Sequence, residues 1–343
     1  MVSHRRPSQT GLSASARITV LTAAAATAAA GLGAAPAGAE PQESPQATRA
    51  EVDRLFEQAE KATERFNEAG ETADRLRKRV AHARDSVARG QERINRMREA
   101  LGSVAGAQYR SGGLDPALEL LLSADPDTYL EGAAVLDRVG ERQSAALDDL
   151  RREQRDLAQE RAAAAKDLAE LERSRSAVAR HKRVVERKLS EARRLLSTLP
   201  DEERADFDRA SRAGRDGSLP EPAGLAPGSA HAAVAALAAR GAVGRPYVWG
   251  ANGPSGFDCS GLVQWSYAQA GVGLPRTSQA QANAGRRIPL SEARPGDIVT
   301  YRGDASHVGM YMGNGQVVHA PYPGAAVRYD PVGMMPVHAV TRV

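Results

Sequence analysis

The chain has 343 residues, 4% of them aromatic and 26% charged, with a formal net charge of +4. At ~100–200 residues per domain this length fits two or three domains. So few rings cannot fill one large core, which favours long solvated helices. The mild basic excess suits attraction to an anionic envelope. The sequence contains no phosphate loop, zinc finger or nucleic-acid module, so no nucleic-acid partner is expected.

Arg5, Arg6 and Arg17 precede the short apolar run ITVLTAAAATAAAGLGAAP, and Ala37-Gly38-Ala39 follows. A charged start, a short apolar middle and an A-x-A site are the layout of a secretory signal peptide over residues 1–39. An uncleaved anchor is the rival. No later stretch is apolar for the length that spans a bilayer. Export sharpens one oddity: Cys259 is the only cysteine. Exported proteins usually carry cysteines in pairs, so a lone thiol is either dimer-forming or reactive, unless it merely packs as a small hydrophobe.

Residues 40–199 read as helix. Val52, Leu55, Ala59, Ala62, Phe66, Ala69, Ala73, Leu76 and Val80 begin a three–four rhythm that continues through Ile94 to Val104. That heptad seam predicts a coiled coil. A second, looser seam runs from Leu147 through Leu157, Leu168, Leu171, Val185 and Leu189 to Leu199. Between them, Gly112-Gly113 stops the first helix and LELLL (118–122) reads as a short apolar helix. An antiparallel hairpin is the simplest assembly, with self-pairing between chains as the alternative.

Residues 200–228, charged and then rich in Pro, Gly, Ala and Ser, read as a flexible linker. Over residues 229–343, Ser229 caps a predicted helix from Ala230 to Arg240. The runs DIVTY, HVGMYM, QVVHA, AAVRY and VHAVTRV then predict short antiparallel strands. The pattern is α+β, and the length suffices for a single core.

Cys259 opens the amphipathic run GLVQWSY. At a helix start, unpaired N–H groups and the macrodipole lower a thiol's pKa and can hold an oxyanion. A nucleophilic thiol also needs a base. His307 and His319 lie on adjacent predicted strands around Gly313-Asn314-Gly315. A two-residue loop pairs Met310 with His319 and sends the two imidazoles to opposite faces. A three-residue loop, a type I turn with Gly315 as a left-handed bulge, pairs Gly309 with His319 and puts His307, Tyr311 and His319 on one face. The second register is expected because it also gathers Val308, Met310, Met312 and Val318 behind them. His307 then accepts the thiol proton and His319 orients it. A Cys-His-His zinc site is disfavoured, since no close-spaced ligand pair supports it.

Five ordered blocks, YVWGANGPSGFDCSGLVQWSY, LPRTSQAQ, RPGDIVTY, SHVGMYMGNG and VVHAP, resemble the NlpC/P60 cysteine peptidases of bacterial cell walls. The hairpin segment is similar to the N-terminal regions of secreted actinobacterial members. The resemblance implies a papain-like α+β core over residues 229–343, with Cys259 as nucleophile, His307 as base and His319 as third polar residue. It further implies that Tyr247 lies beside the thiol to assist the oxyanion. By the same resemblance, Asp258, Ser260 and Ser278 grip the amine end of a stem peptide. Bland readings remain beside these: Tyr247 as a core aromatic, Asp258 as a helix cap, Arg276 as a solvated side chain. Ala251 departs from the usual Y-x-W-G-G.

The expected protein is therefore a secreted, cell-wall-associated peptidoglycan endopeptidase, needing no metal or cofactor and acting on stem-peptide amides at D-γ-glutamyl–diamino acid bonds. The alternative is a coiled-coil scaffold of the division machinery whose terminal domain only binds wall peptides. A combined expectation is that the hairpin restrains the enzyme or docks it to a membrane or divisome protein, with LELLL the segment expected over the cleft or against a partner.

Overall fold

The computed structural model describes residues 44–110, 118, 121–122, 126–205 and 226–343. The expected signal peptide and residues 206–225 of the expected linker lie outside these. No described helix is long and apolar enough to cross a membrane.

Two helices dominate the N-terminal half, α1 (Pro45–Arg110) and α2 (Pro126–Thr198). At 1.5 Å per residue each is about 100 Å long. Side chains join them in opposed order. Ser174 Oγ donates to the Ala69 carbonyl, Arg79 bonds Asp167, Ser86 bonds Glu160 and Arg93 bonds Glu153. The pair is an antiparallel hairpin within one chain. Val52, Leu55, Ala59, Ala73, Leu76, Val80 and Ile94 are buried along its seam, as the heptads require. Leu147 and Leu168 of the second seam are exposed instead, and Ser174 is buried. The looser seam thus loses its register where polar residues interrupt it.

Residues 201–205, expected as linker, are helical. The C-terminal domain then begins with α3 (Ala230–Gly241), whose first turn is capped by Ser229 Oγ accepting from the Ala232 amide. Helices α4 (Cys259–Gln269) and α5 (Ser278–Gln281) follow. The strands are β1 (Arg286–Ile288), β2 (Ile298–Tyr301), β3 (His307–Gly313), β4 (Gln316–His319), β5 (Arg328–Pro331) and β6 (Val337–Arg342). They form one antiparallel sheet in the order β1-β6-β2-β3-β4-β5. Short, arginine-rich β1 escapes a sequence reading. The expected strand AAVRY is displaced: Ala325 and Val327 bond instead to the backbone of residues 244–247, and β5 starts at Arg328.

The β3–β4 register is the expected one, but the turn is not. Met310 pairs with Val318, which sets Gly309 opposite His319; a Cβ on Gly309 would meet that of His319 at 3.2 Å. Asn314 and Gly315 both have positive φ, as a two-residue type I′ loop requires, and a bulge between Tyr311 and Gly313 supplies the extra residue. Val308, Met310, Met312 and Val318 enter the core under α3 and α4. Tyr311 and Val317 enter a second cluster on the opposite face.

Candidate active site

Cys259 is the first residue of α4. Asp258 caps that helix, its Oδ1 accepting from the Gly261 amide at 2.7 Å. Gly261 is needed there because a Cβ would lie 2.2 Å from the Ala251 carbonyl oxygen. The cap carboxylate is fully engaged. Its Oδ2 also accepts from the Gly250 amide at 2.9 Å and from Arg276 Nη2 at 2.5 Å, while Arg276 Nη1 bonds Oδ1 and Ser260 Oγ. Arg276 is therefore no solvated side chain: it is the counter-ion of a buried Asp258. Tyr247 is buried in the same core as Cys259. Burial, followed by the charges of Cys259 and Asp258, pushes its phenol well up.

The two imidazoles meet as their shared face predicts. His307 Nε2 lies 2.8 Å from His319 Nδ1, and His319 Nε2 lies 2.8 Å from Asp330 Oδ2. Asp330, one step beyond the expected strand, was not anticipated. Its ionised form is favoured by His319 and Arg328 against the cost of burial. Burial and the neighbouring His307 lower His319 to about 4, despite the opposing pull of Asp330. A neutral His319 that donates from Nε2 to Asp330 must accept at Nδ1. His307 then donates from Nε2, and its Nδ1 is the atom left to face the cleft.

That atom is already taken. Helix α1 lies across the cleft, and Glu60 Oε1 is 2.9 Å from His307 Nδ1 while Glu60 Oε2 is 2.6 Å from Arg302 Nη1. One turn on, Glu64 Oε1 accepts from Ser260 Oγ at 2.7 Å and from Cys259 Sγ at 3.7 Å, and its Oε2 accepts from the Ser278 amide at 2.8 Å. Asn67 Nδ2 donates to Asp258 Oδ2 at 3.1 Å. Phe56 stacks on Tyr322 with centroids 4.9 Å apart, and Phe66 meets Trp249 edge-on at 5.1 Å. Residues four apart on a helix face are ~5–6 Å apart at Cβ, so Cys259 and His307 lie beneath a single turn of α1. Hollows of about 430 and 410 Å³ remain on either side of it, one bounded by His319 and Asp330, the other by Thr277 and Ser306.

This arrangement reverses one expectation. The start of α4 was expected to make the Cys259 thiol acidic. Burial, then Glu64, Glu60 and Asp258, instead push it well above its ordinary value. The expected cover, LELLL, is also corrected. Its described residues Leu118, Leu121 and Leu122 are exposed, and the cleft is filled by the opposite end of the hairpin. Glu60, Glu64 and Asn67 lie off the apolar seam and escape a sequence reading. The missed signal is their own spacing: with Phe56 they form a second stripe at helical period beside the apolar seam. Among the described residues, no group of three or more His, Cys, Asp or Glu is placed to hold a metal.

The profile of the NlpC/P60 family matches residues 244–340. Over 144 residues the chain is 43% identical to peptidoglycan endopeptidase RipA of Mycolicibacterium smegmatis, covering 35% of this chain and 29% of that protein. Over 105 residues it is 47% identical to a "Probable endopeptidase" of Corynebacterium glutamicum, covering 31% and 50%. The solved NlpC/p60 domain of peptidoglycan hydrolase SagA is 34% identical, covering 33% of this chain and 98% of that one at a TM-score of 0.31. The matched stretch thus spans half or less of these two curated relatives. An α+β sheet domain that carries Cys259, His307 and His319 within the matched residues, and follows a long helical hairpin, makes the C-terminal part of this chain a member of the NlpC/P60 family.

Proposed function

We propose that the chain is a secreted, cell-wall-associated cysteine endopeptidase of peptidoglycan that cuts stem-peptide amides between a D-γ-glutamyl residue and a diamino acid. The observation that carries this reading is the bonded series Asp330–His319–His307, which ends on a ring nitrogen aimed into the cleft that holds Cys259. With α1 withdrawn, His307 Nδ1 accepts the thiol proton. The thiolate attacks the amide carbonyl, and the start of α4 with Tyr247 stabilises the oxyanion. Collapse expels the amine, which takes its proton from His307, and leaves a thioester on Cys259. His307 then deprotonates water, which releases the acid and restores the thiol. Ser260 Oγ and the Ser278 amide, which share the Glu64 carboxyl with Cys259 Sγ, are the groups free to bind the peptide on the amine side of that bond once Glu64 is gone, while Asp258, held by Gly250, Gly261 and Arg276, supports them from below.

The test is mass spectrometry of purified muropeptides incubated with the chain, both as it stands and carrying Glu60→Ala with Glu64→Ala. A product pair split at the D-γ-glutamyl bond, lost in Cys259→Ala, is the expected result. Intact muropeptides throughout would sink the proposal and leave the wall-binding adaptor.

A further inference from the structure

Resting on that reading, we propose that Arg302 and His307 form a carboxylate subsite for the stem peptide, filled here by Glu60 and during the reaction by the acid that cleavage frees. The Glu60 carboxylate spans the two groups, with Oε1 2.9 Å from His307 Nδ1 and Oε2 2.6 Å from Arg302 Nη1. His307 and Arg302 hold it ionised in spite of its burial. Two donors therefore converge on one pair of anionic oxygens, an arrangement that suits a carboxylate. An uncut amide has a single acceptor oxygen and cannot make this bridge. Hydrolysis of the thioester supplies the second oxygen. The acid formed at Cys259 passes its proton to His307 Nδ1 and becomes the anion that both donors hold.

Arg302 is kept where an arginine is costly. Its φ is 64°, a left-handed conformation that suits glycine and disfavours a long side chain. Such strain persists only where the surroundings over-determine it, and it clusters at ligand sites. Here the Arg302 amide donates to the Pro336 carbonyl at 2.8 Å, and the Ala305 amide donates back to the Arg302 carbonyl at 3.1 Å. Ala305 is itself at a positive φ of 50°. The Arg302 side chain is only 20% exposed, and its Nη1 also meets Ser306 Oγ, beside His307, at 3.3 Å. The guanidinium is fixed next to the imidazole by its own loop. A plain counter-ion for Glu60 could sit at an unstrained position. Arg302 also borders the hollow of about 430 Å³ that reaches His319. The other guanidinium there, Arg328, is already paired with Asp330.

Binding is read by isothermal titration calorimetry with three dipeptides: L-Ala-D-Glu, its γ-carboxamide and its α-carboxamide. Each is added to the full chain carrying Glu60→Ala with Glu64→Ala, with and without Arg302→Gly. Glycine suits the backbone at 302, and circular dichroism checks folding. If that variant unfolds, Arg302→Asn, which also tolerates a positive φ, replaces it. Exposed Arg287→Gln is the control. The two dipeptides with a free γ-carboxylate should bind about tenfold or more tighter than the γ-carboxamide. Arg302→Gly should remove that preference and Arg287→Gln should keep it. An Arg302-dependent preference for the free α-carboxylate instead supports the subsite with a carboxylate of the uncut substrate as its occupant. No measurable binding, affinities within about twofold across the three dipeptides, or a preference that survives Arg302→Gly overturns the subsite. Muropeptide cleavage by the same chains judges the peptidase separately. Preference without cleavage keeps the subsite and removes the peptidase; cleavage without preference does the reverse.

Discussion

Glu60 Oε1 sits 2.9 Å from His307 Nδ1, on the far side of the ring from its 2.8 Å contact with His319. One imidazole thus links a polar triad of the C-terminal domain to a helix that begins almost 200 residues before it. That carboxylate holds the ring nitrogen through which the triad faces the cleft.

The pH dependence of docking follows from Glu64. Burial first, and then the charge of Asp258, raise it from 4.5 to about 7, against the hydrogen bonds of Ser260 and Ser278 and the charge of Arg276. In the cleft it therefore holds a proton that the withdrawn, solvated carboxyl has lost. This group favours docking most below its free value; the advantage declines as pH rises toward 7 and is level above it. Glu60 has the opposite sign, because its pKa is lowered, but its contribution is lost only at pH values under 4.5. The ratio of Cys259 alkylation in the unaltered chain to that in Glu64→Gln should rise from about pH 5 to about pH 7 and then flatten. The ratio cancels the titration of the thiol itself, so a flat profile would refute this account.

Asp330 is a positioning residue. It fixes the tautomer of His319, which fixes that of His307. In a chain released by Glu60→Ala and Glu64→Ala, Asp330→Asn should lower kcat by about tenfold or more with little change in KM. A change confined to KM would place Asp330 in substrate binding instead.

Arg276 and Asp258 form a largely buried pair, with side chains 11% and 0% exposed. Asp258→Ala removes the α4 cap and strands the guanidinium. The loss of stability should approach the ~3–5 kcal/mol typical of breaking a buried pair, measured by urea unfolding. Asp258→Asn keeps an acceptor for the Gly261 amide and should lose less.

At the hairpin's near end, Leu55 is 1% exposed and packs with Val185 and Leu189. Leu55→Ala should cost ~2–5 kcal/mol and also speed alkylation of Cys259, because Trp249 and Tyr322 rest on the same cluster. Exposed Leu168→Ala should change stability by no more than ~0.5 kcal/mol.

The legible parts of this chain were those set by local rules. The heptads revealed the hairpin, Ser229 the start of α3, Cys259 ahead of the GLVQWSY run the start of α4, and the parity of β3 and β4 the meeting of His307 with His319. The type I′ turn with a bulge gives the same pairing as a three-residue loop, so the faces came out right although the turn did not. Asp330 was hidden because the polar strand that carries it, RYDP, lacks the alternation that marks a strand. Glu60, Glu64 and Asn67 were hidden for a different reason. On a charged helix a buried acid and a solvated acid are the same letter, and only the partner domain, nearly 200 residues away, distinguishes them.

From Asn67 to Arg110, α1 runs on for about 65 Å at 1.5 Å per residue, braced by α2 throughout. The contacts from Phe56 to Asn67 occupy a short span at its other extremity. The hairpin is thus a lever with a long free arm and a short working end. A sideways load on the distant tip would be multiplied at the cleft, and mechanical force would reach Cys259 without any ligand entering its groove.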